Sequence, residues 1–379
     1  MYKRNIVLLC AMALLQGMVF YAPVATLYRQ AVGLSVFSIT LIESVSLVLT
    51  MALEIPWGWV ADRIGYRRTM LFCSGLFALS KVVFWQAAGF GGFLLERILL
   101  AVVVSGLSGV DSAMLYLSCA KDDARRVYGI YENLQQLGLL LAAGIFGLWL
   151  SEDYRLAAAL TAAVYLIAAV LALGLKEVRC TADRNTAPKG GLRVLFDQLK
   201  KKQNLLLILS VALLNETHQT VAVFLNQLQY TRAGMHQSMI SAAFIAVSLA
   251  GFAGGLTAKL SRRWGDKRLG SGLFLVAGFC CAVLAGSASA VVSVLAVLLL
   301  RAVFSLLQPM QLARQNEIIR TPDRATALSM NAAVMSSFGV MSNLCFGALA
   351  DRSLPGAMLL GAGLCLTGLL LWRRSFRSS

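Results

Sequence analysis

The stretch "PWGWVADRIGYRR", from Pro56 to Arg68, connects two long apolar runs of this 379-residue chain. It contains one aspartate and three arginines, although only 14% of all residues are charged. Charged residues gathered between two apolar runs are typical of a connection that lies at a membrane surface. The composition of the rest of the chain supports that interpretation.

The composition is that of a chain that crosses a membrane many times. Hydrophobic residues make up 58% of it, whereas a soluble domain carries roughly a quarter charged residues. Apolar runs of about 20 residues recur from end to end, and this length crosses a hydrocarbon core of about 30 Å. Lipid offers no partner to backbone polar groups, so these runs must be helices. Strands of a membrane barrel would alternate apolar and polar residues in shorter segments.

The positions of these runs predict an all-α polytopic membrane protein with twelve transmembrane helices. The predicted spans cover residues 5–28, 36–59, 69–88, 92–118, 127–150, 155–175, 204–230, 236–260, 270–289, 291–315, 326–349 and 356–373.

Basic residues are concentrated in every second connection between the spans. The other connections hold only Arg29, Arg155, Arg232 and Arg352. This alternation follows the positive-inside rule, and it predicts a multi-pass protein of the cell (inner) membrane with cytoplasmic N- and C-termini. It also accounts for the net charge of +16 without nucleic-acid binding. The N-terminal run lacks a convincing cleavage site, so we interpret it as a retained first span.

The sequence contains none of the common patterns of catalysis or cofactor binding. The eight cysteines are scattered without a C-x-x-C pair, and the two histidines are isolated, so we expect no metal site and no cofactor. No G-x-x-x-x-G-K-[ST], H-E-x-x-H or G-x-S-x-G pattern occurs. We therefore expect neither an enzyme nor an ATP-driven pump.

A polar linker, 176–203, separates two six-span bundles, 1–175 and 204–379. The halves resemble one another: "LLERILLAVVVS" from Leu94 matches "LLLRAVFSLLQP" from Leu298, which aligns Arg97 with Arg301. Such internal repeats are typical of secondary transporters, whose site lies near the midplane between the halves. The linker ends in a basic segment, Leu192–Lys202, that predicts an amphipathic helix on the cytoplasmic membrane surface or a solvated linker helix.

The opening stretch has the pattern G-x-x-x-D-R-x-G followed by basic residues, and a degenerate copy, "GLTAKLSRRWGDKR", begins at Gly255. This pattern resembles the loop signature of the major facilitator superfamily. The resemblance implies two pseudo-symmetric six-helix bundles and transport by alternating access. It also implies that the signature residues form a latch between the halves on the cytoplasmic side. These residues are Gly58, Asp62, Arg63, Gly65, Arg67 and Arg68. Alternatively, the arginines only enforce the topology.

In the family that this chain resembles, spans 1, 4, 7 and 10 surround the central cavity. Polar and aromatic residues on these spans are therefore our candidates for contact with a small-molecule substrate. On span 7 we expect three of them to share one face of a continuous α-helix. The candidates are Gln16, Tyr21, Arg97, Asn215, Gln219, Asn226, Arg301 and Gln308.

Carboxyl groups inside the membrane are candidates for proton coupling, because a charge there costs about 2.5–3.5 kcal/mol on insertion scales. We expect Glu216 or Asp111 to titrate during transport. The alternative for Glu216 is a structural hydrogen bond to another span. Asp111 lies toward the cytoplasmic end, where water reaches it.

These features predict proton-coupled efflux of lipophilic or drug-like compounds. The alternative is proton-coupled import of a sugar, organic anion or other nutrient. A receptor or lipid scramblase on the same scaffold is a third class. We expect protons as the coupling ion, membrane lipids as surroundings and a monomer as the working unit.

Overall fold

The computed structural model describes residues 3–119, 123–178, 202–318 and 324–376; these ranges contain helices joined by short connections and no strand. The helices are α1 Lys3–Gly17, α2 Ala25–Ala31, α3 Val36–Ile64, α4 Tyr66–Gln86, α5 Phe90–Leu107, α6 Val110–Ser118, α7 Ala124–Ile145, α8 Tyr154–Ala172, α9 Lys202–His218, α10 Asn226–Arg232, α11 Gln237–Ala250, α12 Thr257–Trp264, α13 Asp266–Gly286, α14 Ala290–Ile318, α15 Arg324–Arg352 and α16 Leu354–Ser375.

Twelve helical stretches in the described part of the chain are long and apolar enough to cross a membrane, which confirms the predicted class of fold. They are Lys3–Ala31, Val36–Glu54, Tyr66–Gln86, Phe90–Ser118, Arg126–Leu150, Tyr154–Ala172, Gln203–Arg232, Gln237–Trp264, Asp266–Gly286, Ala290–Ile318, Asn331–Arg352 and Leu354–Ser375. We number them as spans 1 to 12.

Several spans are interrupted. Span 1 contains a 3₁₀ segment, Ala22–Val24, with Pro23 in its first turn, and span 4 breaks at Gly109. Spans 5 and 7 contain π-helical segments at Phe146–Leu150 and Gln219–Leu225. π-helical segments are rare in proteins, and those that occur are often found at functional sites. The segment in span 7 is therefore a candidate part of the functional site.

The non-helical connection between helices α3 and α4 is shorter than the predicted connection between spans 2 and 3. Helix α3 continues to Ile64, so Asp62 and Arg63 belong to its last turn and not to a loop. A single residue, Gly65, then separates α3 from α4, with a φ angle of 93°. Only glycine adopts this backbone conformation readily. The glycine at position 65 therefore permits the tight turn between α3 and α4.

The described residues form two compact units. The first comprises Met1–Leu34, Val45–Ala182 and Gln237–Ile245. Its helices α1 and α7, and its helices α4 and α8, pack against each other. A core of buried apolar residues, with Leu9, Met70 and Met114 among them, fills this unit.

The second unit comprises Ser35–Ser44, Asp183–His236 and Ala246–Ser379. Its most extensive packing joins α13 to α16, and α9 also packs on α16. The buried ring of Trp372 lies 5.9 Å from that of Phe274, centroid to centroid, within the α13–α16 contact.

Within this second unit, the first turn of α3 is capped by the end of α15. The carboxylate of Asp351 accepts hydrogen bonds from the backbone N–H groups of Val36, at 2.7 Å, and Phe37, at 3.0 Å. One turn before Asp351, a Cβ atom at Gly347 would collide with the hydroxyl group of Thr40. Glycine therefore allows the close approach that brings Asp351 to the free N–H groups of the helix.

Candidate transport site

The first unit buries a cluster of charged side chains from α2, α4 and α5. Glu96 is only 1% exposed. Its carboxylate oxygens lie 3.4 Å from Lys81 Nζ, 3.4 Å from Arg97 Nε and 3.9 Å from Arg29 Nη2. One carboxylate thus faces three cations.

Aromatic rings surround this cluster. Lys81 donates a hydrogen bond to the hydroxyl oxygen of Tyr21, at 3.2 Å, and the Tyr21 ring stacks on Phe84 with centroids 4.0 Å apart. The guanidinium carbon of Arg29 lies 5.8 Å from the Phe84 centroid and 5.7 Å from that of Phe93. These cation–π contacts stabilise positive charge that Glu96 does not balance.

Two cavity candidates from the sequence, Tyr21 and Arg97, therefore belong to a packed ionic cluster. Sequence reasoning identified Arg97 but missed Glu96, the carboxylate that joins it to Lys81 and Arg29. The available signal was a glutamate next to an arginine inside an apolar run, "LLERILL". A charge in such a position requires a partner.

The second unit buries a different carboxylate, Glu216, on α9. Its side chain is 7% exposed and accepts a hydrogen bond from Asn215 Nδ2 at 2.9 Å. Across from it, a Cβ atom at Gly339 of α15 would lie 2.9 Å from Glu216 Oε2. In the part of the chain that the structure describes, no Lys, Arg or His nitrogen lies within 4.0 Å of this carboxylate.

His218 lies two residues after Glu216 and is also buried. Its ring stacks parallel on Phe304 of α14, with centroids 4.0 Å apart. Neither ring nitrogen has a hydrogen-bond partner among the described residues. The guanidinium carbon of Arg301 lies 5.8 Å from the centroid of the same Phe304 ring.

The π-helical segment Gln219–Leu225 corrects the expectation of one continuous polar face on span 7. A π turn holds more residues than an α turn, so the 100° spacing is lost between Asn215 and Asn226. Gln219 is exposed and Asn215 is half-buried, whereas Asn226 is buried. The Asn226 side chain accepts a hydrogen bond from the backbone N–H of Gln227, at 2.8 Å.

A hydrogen bond also joins the π-helical segment to α15. The hydroxyl group of Thr220 donates to Asn343 Oδ1 at 3.1 Å. This bond and the close packing of Glu216 against Gly339 hold the middle of span 7 against span 11.

The remaining candidates lie apart from these two clusters. Asp111, in the first turn of α6, accepts hydrogen bonds from the backbone N–H of Ser112 and the hydroxyl group of Tyr131, at 2.6 and 3.4 Å. Gln16 is half-buried on α1, and its backbone carbonyl oxygen accepts a hydrogen bond from the hydroxyl group of Tyr165. Gln308 is exposed on α14.

Arg67, one of the signature residues, forms hydrogen bonds within the first unit. Arg67 Nε donates to the carbonyl oxygen of Leu175, at 2.6 Å, and its backbone N–H donates to Glu177 Oε1, at 3.3 Å. Arg63 and Arg68 are exposed. The structure does not describe the surroundings of Gly58 or of the Asp62 side chain. The predicted amphipathic segment 192–202 also lies outside the described residues, except for Lys202.

A sequence model of the Major Facilitator Superfamily matches residues 7–342. The chain belongs to the major facilitator superfamily. It is therefore a membrane transporter, and a small molecule is its substrate. A search among curated protein sequences finds no match. No group of three or more His, Cys, Asp or Glu residues in the described ranges is arranged to hold a metal ion.

Solved structures of transporters share this fold. The nucleoside transporter NupG is 16% identical, with a TM-score of 0.86 over 98% of this chain and 99% of that chain. A bacterial homologue of the human lysosomal transporter Spinster, in an inward-facing and unoccupied conformation, is 16% identical, with a TM-score of 0.80 over 100% and 98%. The POT family transporter PepTSo is 12% identical, with a TM-score of 0.76 over 100% and 98%.

Proposed function

We propose that this transporter carries a small polar solute by alternating access and couples its movement to protons through Glu216. The observation that carries the proposal is the environment of this carboxyl group. It is buried beside the π-helical segment of span 7, and the hydrogen-bond donor in the described structure is the neutral amide of Asn215. Ionisable groups inside membrane helices are functional candidates because their charged forms are costly there.

The amide partner suits a group that gains and loses a proton. An amide nitrogen donates to a carboxylate, and an amide oxygen accepts from a protonated carboxyl group. Asn215 can therefore follow both states of Glu216 by rotating its side chain. A conformation closed to both sides of the membrane costs less with Glu216 as the neutral acid than with Glu216 as the carboxylate. The proton therefore crosses with the conformational change: it binds Glu216 on one side of the membrane and leaves it on the other.

The substrate class follows from the side chains around Glu216. Asn215 is half-buried and donates to the carboxyl group, and the exposed Gln219 lies three residues after Glu216. Amides donate and accept hydrogen bonds, as the hydroxyl, amine and carbonyl groups of a polar solute require. The structural likeness to a transporter of nucleosides supports this class, which corresponds to proton-coupled import.

Proton-coupled efflux of lipophilic or drug-like compounds is the second candidate. The observation in its favour is the half-buried ring of Phe304, which stacks on His218 beside Arg301. Aromatic surfaces with few polar groups are typical of sites for apolar ligands.

The test is transport in sealed proteoliposomes with an imposed pH gradient. Nucleosides, lipophilic cations and organic anions are offered in turn, and substrate accumulation is compared between the wild-type protein, Glu216→Gln and the control Glu54→Gln. Glu54 is an exposed carboxyl group of span 2. Symport fills the vesicles when the outside is acidic, and antiport fills them when the lumen is acidic.

We expect accumulation of the polar class with an acidic outside, and its loss in Glu216→Gln but not in Glu54→Gln. Exchange of labelled for unlabelled substrate without a gradient should survive in Glu216→Gln, because exchange needs no net proton movement. Driven accumulation at the wild-type level in Glu216→Gln contradicts the coupling proposal. Accumulation of lipophilic cations with an acidic lumen selects the efflux candidate.

We further propose that Gly58, Asp62, Arg63, Gly65, Arg67 and Arg68 form the cytoplasmic latch, with both termini on the same side and a monomer as the working unit. The placement of basic residues supports this orientation. In a variant without native cysteines, an impermeant thiol reagent added to intact cells should label Ala31→Cys and not Arg263→Cys, both at exposed positions. The reverse labelling pattern would invert the topology.

A further inference from the structure

A groove lies between the start of α13 and the end of α16, within the second unit and away from the polar part of span 7. Its volume is about 550 Å³. Six residues line it: Lys267, Arg268, Ser271, Gly272, Leu275 and Arg373. Three of them are cations, and no carboxylate lines the groove.

Two hydrogen bonds join the helices at the groove, and one of them holds the Arg373 side chain in place. The indole Nε1 of the buried Trp372 donates to the carbonyl oxygen of Lys267, at 3.4 Å, and Arg373 Nε donates to the hydroxyl oxygen of Ser271, at 3.4 Å. Both bonds cross from α16 to α13. The acidic residue that begins α13, Asp266, accepts a hydrogen bond from Ser261 on α12, which turns it toward another helix.

An exposed apolar surface continues from the charged end of the groove. On α13, Leu275 and Phe279 follow Arg268 by seven and eleven residues, so the three share one helix face, and Phe279 is 69% exposed. On α16, the exposed Leu366 and Leu370 precede Arg373 on one face. Leu366 reaches α13, because its Cγ lies 4.0 Å from where a Cβ at Gly278 would be.

We propose that this groove binds an anionic phospholipid. Lys267, Arg268 and Arg373 contact the phosphate group, and an acyl chain lies along Leu275 and Phe279. Basic pockets between transmembrane helices attract acidic headgroups. The apolar face identifies a lipid and not a free phosphate ion, because a soluble anion gains nothing from an exposed leucine and phenylalanine below it.

The test measures lipid binding to the full-length transporter by native mass spectrometry. The protein is purified in a mild detergent and titrated with phosphatidylglycerol or phosphatidylcholine of the same acyl chains. The groove variant is Arg268→Gln/Arg373→Gln. The matched control, Arg262→Gln/Arg263→Gln, removes the same charge from exposed positions of α12. Thermal unfolding in phosphatidylcholine alone checks that both variants are folded.

We expect the wild-type protein to prefer phosphatidylglycerol, and the groove variant to bind it on the order of tenfold more weakly, since each basic residue near acidic lipid contributes a several-fold factor. The control variant should bind it as the wild type does. Equal losses in both variants indicate non-specific charge attraction and overturn the proposal. Displacement by millimolar inorganic phosphate identifies a free-anion site, and equal binding of the two lipids excludes headgroup recognition; either overturns it as well.

Discussion

Glu96 and Glu216 are both buried carboxyl groups of membrane helices, yet their surroundings are opposite. Glu96 faces three cations within 4.0 Å, whereas Glu216 has the amide of Asn215. A carboxylate among cations holds helices together and keeps its charge, because losing that charge would leave the cations unbalanced. A carboxyl group with a neutral partner can change its protonation at much lower cost. Burial alone therefore does not identify a coupling residue.

The internal repeat also contrasts a charged side chain that has an ionic partner with one that has none among the described residues. Arg97 and Arg301 occupy equivalent positions of the two halves. Arg97 lies 3.4 Å from Glu96, while the residue equivalent to Glu96 is Leu300, and Arg301 lies over Phe304. No carboxylate of the described ranges forms an ion pair with Arg301. The two aligned arginines therefore have different surroundings: Arg97 faces a carboxylate and Arg301 faces an aromatic ring.

The largest effect is expected for Glu96→Gln, which removes the common partner of Arg29, Lys81 and Arg97. Breaking a buried ion pair from one side costs about 3–5 kcal/mol, so most of the protein should fail to reach a folded state. Fluorescence-detected size-exclusion chromatography measures the folded yield. The double variant Glu96→Gln/Lys81→Met, with one cation fewer, should recover part of it. A normal yield for Glu96→Gln would remove the distinction between the two carboxyl groups.

Glu216→Gln should be far milder for stability, and this sharpens the comparison. Glutamine has the same shape, carries no charge and can still accept from Asn215, so we expect a change within about 1 kcal/mol. Thermal unfolding in the detergent used for the Glu96 variant measures it. A loss as large as that of Glu96→Gln would indicate a structural anchor and count against proton coupling.

The smallest effect is expected for a third carboxyl group, Asp351, which is exposed and bonded to backbone N–H groups of α3. Asp351→Asn removes the charge that faces the positive end of the helix but keeps a hydrogen-bond acceptor. A capping interaction of this kind contributes about 0.5–1 kcal/mol, so unfolding should shift only slightly. A destabilisation of several kcal/mol would contradict this and show that the cap is much stronger than an ordinary exposed one.

The sequence predicted the twelve spans well, since the thickness of a membrane sets their length and the need for internal hydrogen bonds sets their conformation. It also identified Glu216 as a candidate. It missed Glu96, because the partners Arg29 and Lys81 come from other spans. It also missed the π-helical segment of span 7, since the residues Gln219–Leu225 include no glycine or proline that would indicate an irregular helix. The contacts of a buried side chain and the register of a helix depend on residues of neighbouring spans, which the sequence of one span does not identify.

The Asp351 cap has a consequence for biogenesis. The carboxyl group that completes the first turn of α3 lies 315 residues further along the chain than Val36. At about 5–20 residues per second, a ribosome needs on the order of 15–60 s to synthesise that interval. During this time α3 is inserted with two N–H groups that lack their final acceptor. The start of span 2 therefore reaches its native hydrogen bonding only as translation finishes.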